Sequence, residues 1–126
     1  INKYILVDIT ISSLVQSYFL LNSFPNINFS FSGESSIEKG IQFRLTVAFF
    51  NSTETYDLVL NADSITELDI RTARQYLSKI CKRSKYFWSI NHESNKFTVR
   101  SIAQEFNQLK LISLGLDQDI YQNFIK

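Results

Sequence analysis

The chain has 126 residues, of which 44% are hydrophobic and 20% charged, with a formal net charge of +1. That length suits one domain whose core folds without staples, and the near-neutral balance excludes a generally basic nucleic-acid binder or a polyacidic tail. Three Gly exclude a Gly-rich phosphate loop, and a lone Cys and a lone His exclude an internal disulfide and a His/Cys metal cluster.

Beginning at Ile1 without a Met, the sequence reads as part of a longer protein. Residues 4 to 21 are rich in apolar side chains, but Asp8, Gln16 and the Ser12-Ser13 pair interrupt them. A membrane-spanning helix needs about 20 mostly apolar residues, so the segment is expected to be a buried amphipathic helix rather than a span. Asp8 or Thr10 can cap it. Ile11, Leu14, Val15, Tyr18, Phe19 and Leu21 form its apolar face as far as Asn22, and Pro25 forbids continuation.

Ile27, Phe29 and Phe31 alternate with polar residues, as in a half-buried strand. Ile41, Phe43, Leu45, Val47 and Phe49 do so over a longer stretch, and Tyr56, Leu58 and Leu60 open a third strand. Their short polar connections predict an antiparallel meander, because parallel pairs need longer crossovers. Phe50, Val59 and Phe87 are then expected on the face opposite the core-facing rows, so that the far face of the sheet is also apolar. A second helix is predicted from about Glu67 to Ser84, with Ile70, Ala73, Leu77, Ile80 and Cys81 on one face. Residues 86–91 and 97–102 read as a hairpin turning around Glu93 to Asn95. Residues 104–114 suit either a helix ending at Gly115 or a strand, and residues 117–126 a short terminal helix.

The sharpest feature is a change of charge sign. Residues 54–69 carry Glu54, Asp57, Asp63, Glu67 and Asp69 with no base, and residues 71–85 carry Arg71, Arg74, Lys79, Lys82, Arg83 and Lys85 with no acid. Acids at a helix start and cations at its end complement the backbone dipole. Arg71 and Arg74 lie in the first turns and escape that explanation. Projected at about 100° per residue, Arg71, Arg74, Lys82 and Lys85 share one sector, a stripe able to meet an acidic partner or phosphates. A solvated helix face is the plainer reading of such a run. Tyr86 and Trp88 follow directly. Beside a cationic stripe they would make a stacking platform for single-stranded nucleic acid, and within a strand they are ordinary packing residues.

His92, beside Glu93, is expected in a turn without the partners a general base needs. Cys81 sits on the apolar helix face, where a thiol behaves as a small hydrophobe. No catalytic constellation rises above chance, and no cofactor or small-molecule substrate is implied.

The element order predicts an α+β domain of two layers spanning residues 1–126, a three-strand meander plus a hairpin with helices packed on it. In order alone it resembles RWD-type domains of multi-protein assemblies such as kinetochore complexes, and ferredoxin-like assembly domains of secretion and pilus machines. That resemblance implies a non-enzymatic interaction domain with protein partners, as a homo- or heterodimer or within a larger complex. The contact surfaces would be the basic stripe and the far face of the sheet. The alternative is a nucleic-acid-binding module using the stripe with Tyr86 and Trp88.

Overall fold

A computed structural model describes residues 2–91, 96–114 and 118–123, with helices and strands mixed along the chain. Its internal contacts group into two compact units, Ile1–Ser52 and Thr53–Lys126.

The first unit is built on strand β1 (Lys3–Asp8), helix α1 (Thr10–Ser23), strands β2 (Phe29–Ser30) and β3 (Gly40–Leu45), and helix α2 (Thr46–Asn51). Its sheet runs β1-β3-β2 and is parallel throughout, with Lys3 opposite Gly40 and Phe29 opposite Ile41. The antiparallel meander is therefore corrected. Residues 9–39 carry the chain from β1 to β3, long enough for a parallel crossover, and β1 itself was not anticipated. The likeness to RWD-type and ferredoxin-like domains assumed that meander and loses its basis. The alternation expected through Phe49 stops at Leu45, since Val47 and Phe49 belong to α2. Phe43 is fully buried, with the rings of Phe29 and Phe31 stacked at 6.2 and 5.2 Å from its own.

Helix α1 forms as the periodicity requires, but its roll is the reverse of the expected one. Ser17 is its buried residue, while Ile11, Leu14, Val15, Tyr18, Phe19 and Leu21 are all exposed. Asp8 explains the orientation: its carboxylate accepts from the Ile9 N–H at 2.7 Å and from the Gln16 amide at 2.9 Å, holding the polar edge of α1 to the end of β1. The interior of this unit is correspondingly polar. Gln42 and Arg44 are buried and joined at 2.8 Å, and the hydroxyls of Ser13 and Ser30 are buried without a partner.

The second unit comprises β4 (Tyr56–Ala62), a 3-10 turn (Ile65–Glu67), α3 (Ile70–Arg83), β5 (Ser84–Ile90), α4 (Val99–Ala103), β6 (Leu109–Leu114) and β7 (Gln118–Asn123). Its mixed sheet has the order β4-β5-β7-β6, with β4 and β5 parallel and the other pairs antiparallel. β4-α3-β5 is thus a βαβ unit, the arrangement that lays a helix on one sheet face. Asp69 caps α3 by accepting from the Arg71 and Thr72 N–H groups. At the other end the Asn123 amide donates to the Cys81 and Ser84 carbonyls, occupying oxygens the helix leaves open.

Ala73, Leu77, Ile80 and Cys81 of α3 pack with Val99, Ile102 and Ala103 of α4 against Phe87, Leu109 and Tyr121. Residues 97–102, expected as a hairpin strand, are corrected: Val99–Ala103 is this helix, started by a capping box between Thr98 and Ser101. The stretch around Leu109 is the strand alternative. The terminal helix is corrected to β7, because Asp119, Tyr121 and Asn123 alternate into the interior at period two.

Gly40 lies where the backbone runs close against its neighbour. Its φ is +129°, and a Cβ there would lie 2.2 Å from the Asn28 carbonyl oxygen. Gly33, at φ +95°, faces open space. Gly40→Ala should destabilise the first unit by more than about 1 kcal/mol, read as faster amide exchange in β1 and β3. Gly33→Ala should cost less.

Candidate functional site

Strand alternation divides the second sheet into two faces. Val59, Phe87 and Tyr121 lie opposite one another in register and point toward α3 and α4. This corrects the expected placement of Val59 and Phe87, whose face is the core, and Phe50 lies in α2 rather than in a strand. One residue out of step, Leu58 faces Tyr86, which faces Gln122, which faces Lys110. Leu60, Trp88 and Ile120 form the next row.

No element of the unit covers this second face among the described residues. Leu58 is 52% exposed, Leu60 45% and Tyr86 41%, with Trp88 and Ile120 half-buried beside them. The Trp88 indole N–H donates to Gln118 Oε1 at 3.2 Å, which holds the ring against the sheet. Lys110 brings the face its one cation among the described residues of these rows. The result is a mostly uncharged surface of aliphatic and aromatic side chains on a rigid support.

The basic stripe is placed differently. Arg71, Arg74 and Lys82 are exposed on α3, and Arg71 and Arg74 line a shallow open groove with Ile70, Gln75, Ser78 and Phe106. Lys85 lies in β5, outside the helix, so the helical projection does not apply to it. Arg74 forks onto Glu105, with Nε to Oε2 and Nη2 to Oε1 both at 2.9 Å, and Lys85 pairs with Asp57 at 2.7 Å. α3 covers the face opposite Tyr86 and Trp88, so its cations and the two aromatics belong to opposite layers of the unit. Much of the charge switch resolves locally: Asp57 of β4 meets the first basic residue of β5, and Asp69 serves as a cap.

The helix-covered face carries a polar row at the end of the parallel strands. The Asn61 amide donates to Ser89 Oγ at 3.2 Å and Asn91 Oδ1 at 2.8 Å, while its oxygen accepts from Ser64 Oγ at 2.6 Å and the Ile65 N–H at 3.1 Å. Asp119 continues the row, held by the Arg100 fork at 2.9 and 2.8 Å and by the Tyr121 hydroxyl at 3.1 Å. Every one of these groups is engaged by its neighbours, as a structural network requires. Among the described residues no three His, Cys, Asp or Glu side chains converge as a metal site. His92 and Glu93 lie outside the described residues. Asn61, Ser89 and Asp119 do not stand out in the sequence, because single polar residues in apolar strands carry no periodic signal.

Cys81 is buried and its thiol donates to Gln108 Oε1 at 3.3 Å. Burial pushes the thiol above its ordinary value of 9.0, against a smaller opposing effect of Lys82. The benefit of keeping it neutral is complete below that value and is lost as the pH climbs beyond it through the raised value of the folded protein. Native protein at pH 8 should therefore react with a thiol reagent far more slowly than protein in denaturant, as absorbance of the released chromophore will show. The hydrogen bond and charge of Lys85 hold Asp57 below its ordinary 3.8. Lys85→Ala should raise the Asp57 midpoint in a carboxyl NMR titration toward that value, because the ionised form loses its partner.

No protein-family model matches the chain, and no curated protein matches its sequence.

Proposed function

We propose that this chain is a protein–protein interaction module whose binding surface is the open face of the second sheet, centred on Leu58, Leu60, Tyr86 and Trp88. The observation that carries this reading is the large exposure of Leu58, Leu60 and Tyr86 side by side on strands held rigid by α3. Contiguous apolar surface rimmed by polar groups marks interaction sites, and aromatics are favoured at the centre of interfaces.

Tyr86 and Trp88 on an uncovered sheet also match the way RNA-binding sheets stack bases. Such sheets need cations beside the rings, whereas the described rows offer Lys110 two strands away from Tyr86 and the cations of α3 belong to the opposite layer. A partner that offers apolar side chains suits the aliphatic neighbours Leu58 and Leu60 better than a phosphate backbone does. The role is assembly rather than catalysis, with the basic groove along α3 available as a secondary contact.

Trp88 is the sole tryptophan, so its fluorescence reports on this face. Titration with single-stranded DNA or RNA at low salt should leave the emission unchanged. A partner captured by the wild type should remain bound in high salt and be lost from the Leu58→Glu/Tyr86→Glu variant with the fold intact by circular dichroism. Equal capture by wild type and variant would overturn the proposal. Salt-sensitive quenching by oligonucleotides would replace it with nucleic-acid binding.

A further inference from the structure

Helix α1 presents a second apolar surface, independent of the face on the second sheet. Ile11, Leu14, Tyr18 and Leu21 follow the three-four-three spacing of a coiled-coil seam, with Val15 and Phe19 flanking it. All six are exposed, Tyr18 to 75%, Ile11 to 65% and Leu14 to 58%. The opposite side of the helix is turned inward through Gln16 and the buried Ser17, so no rotation about the helix axis hides the seam without breaking the Asp8–Gln16 contact.

We infer that a second copy of this chain covers that face, the two α1 helices packing against each other about a twofold axis. Two observations select this occupant. The first is area: six large apolar side chains, from 42% exposed at Leu21 to 75% at Tyr18, lie on one side of the helix, and a standard interface draws about 800 Å² from each partner. The second is charge: the whole helix, Thr10–Ser23, contains no Asp, Glu, Lys or Arg. A charged partner finds nothing on it to complement, and the flanking positions that dictate unlike pairing in coiled coils hold no ions. A twofold contact sets each patch against its own copy, and a charge-free patch does this without repulsion. Helices that lie on anionic lipid carry Lys or Arg on their polar face, and α1 has neither.

Sedimentation equilibrium of the 126-residue chain should show mass rising from monomer to dimer with concentration, with little dependence on salt. Leu14→Lys/Tyr18→Lys should raise the dissociation constant at least about tenfold while leaving the circular dichroism spectrum unchanged, since both side chains already face solvent. A Tyr18→Cys variant in a Cys81→Ala background should be joined to its twin by a short bismaleimide. The Leu58→Glu/Tyr86→Glu variant should still dimerise, which separates this contact from the one on the second sheet. A monomer at every concentration, or a dimer that survives the α1 change, would overturn the inference. So would pelleting with phosphatidylcholine vesicles that the same α1 change abolishes, which would assign the face to lipid.

Discussion

The burial of Phe87 beneath α3, next to Val59 and stacked on Tyr121 at 5.7 Å, decides the orientation of the second unit. Strand side chains alternate, so committing those three residues to the helix commits Leu58, Leu60, Tyr86 and Trp88 to the other side. The parallel pairing of β4 and β5 enforces the same division, because a single crossover helix covers one face only. α4 adds to that layer rather than covering the other. The open face is thus a consequence of topology, and its apolar composition is what makes it a surface for another molecule.

The charges tell a more local story than their segregation in the sequence suggests. Glu105, far along the chain, engages Arg74, and Asp57 on β4 sits across from Lys85 on β5. Exposed pairs of this kind contribute little to stability, but they consume two of the four cations that would have formed a continuous stripe. Arg71 and Lys82 remain exposed on α3, on the layer away from the aromatics.

Helices α1 and α3 were legible because their apolar residues recur at three and four over fourteen positions, and Pro25 and Asp69 mark an end and a beginning. β4 and the part of β5 from Tyr86 onward are legible from alternation, whereas Ser84 and Lys85, which read as helix, open that strand. β1 was hidden because Tyr4, Ile5, Leu6 and Val7 are apolar without a break, which is compatible with the helix that follows. Val47 and Phe49 satisfy either period, so β3 was extended into α2. Val99 to Ala103 makes a five-residue helix, started by the Thr98–Ser101 capping box and too short to show a periodicity. Most instructive is α1: spacing states which residues share a face, but only the Asp8–Gln16 contact states which face turns inward. The same limit hid the far side of the second sheet, where the alternating set was recognised and its direction reversed.

The contrast between the two interiors has a bearing on how the molecule comes apart. The second unit surrounds Phe87 with a continuous cluster of mostly aliphatic side chains, whereas in the first, among the described residues, the buried apolar side chains are Phe43 and Phe49, beside Gln42, Arg44 and hydroxyls. Cooperative units open in the order of the apolar packing that holds them. The first unit is therefore the earlier to breathe, and β2, an edge strand of two residues, is where fraying begins. Heat or urea would then produce two transitions rather than one, and a single unfolding free energy would describe neither.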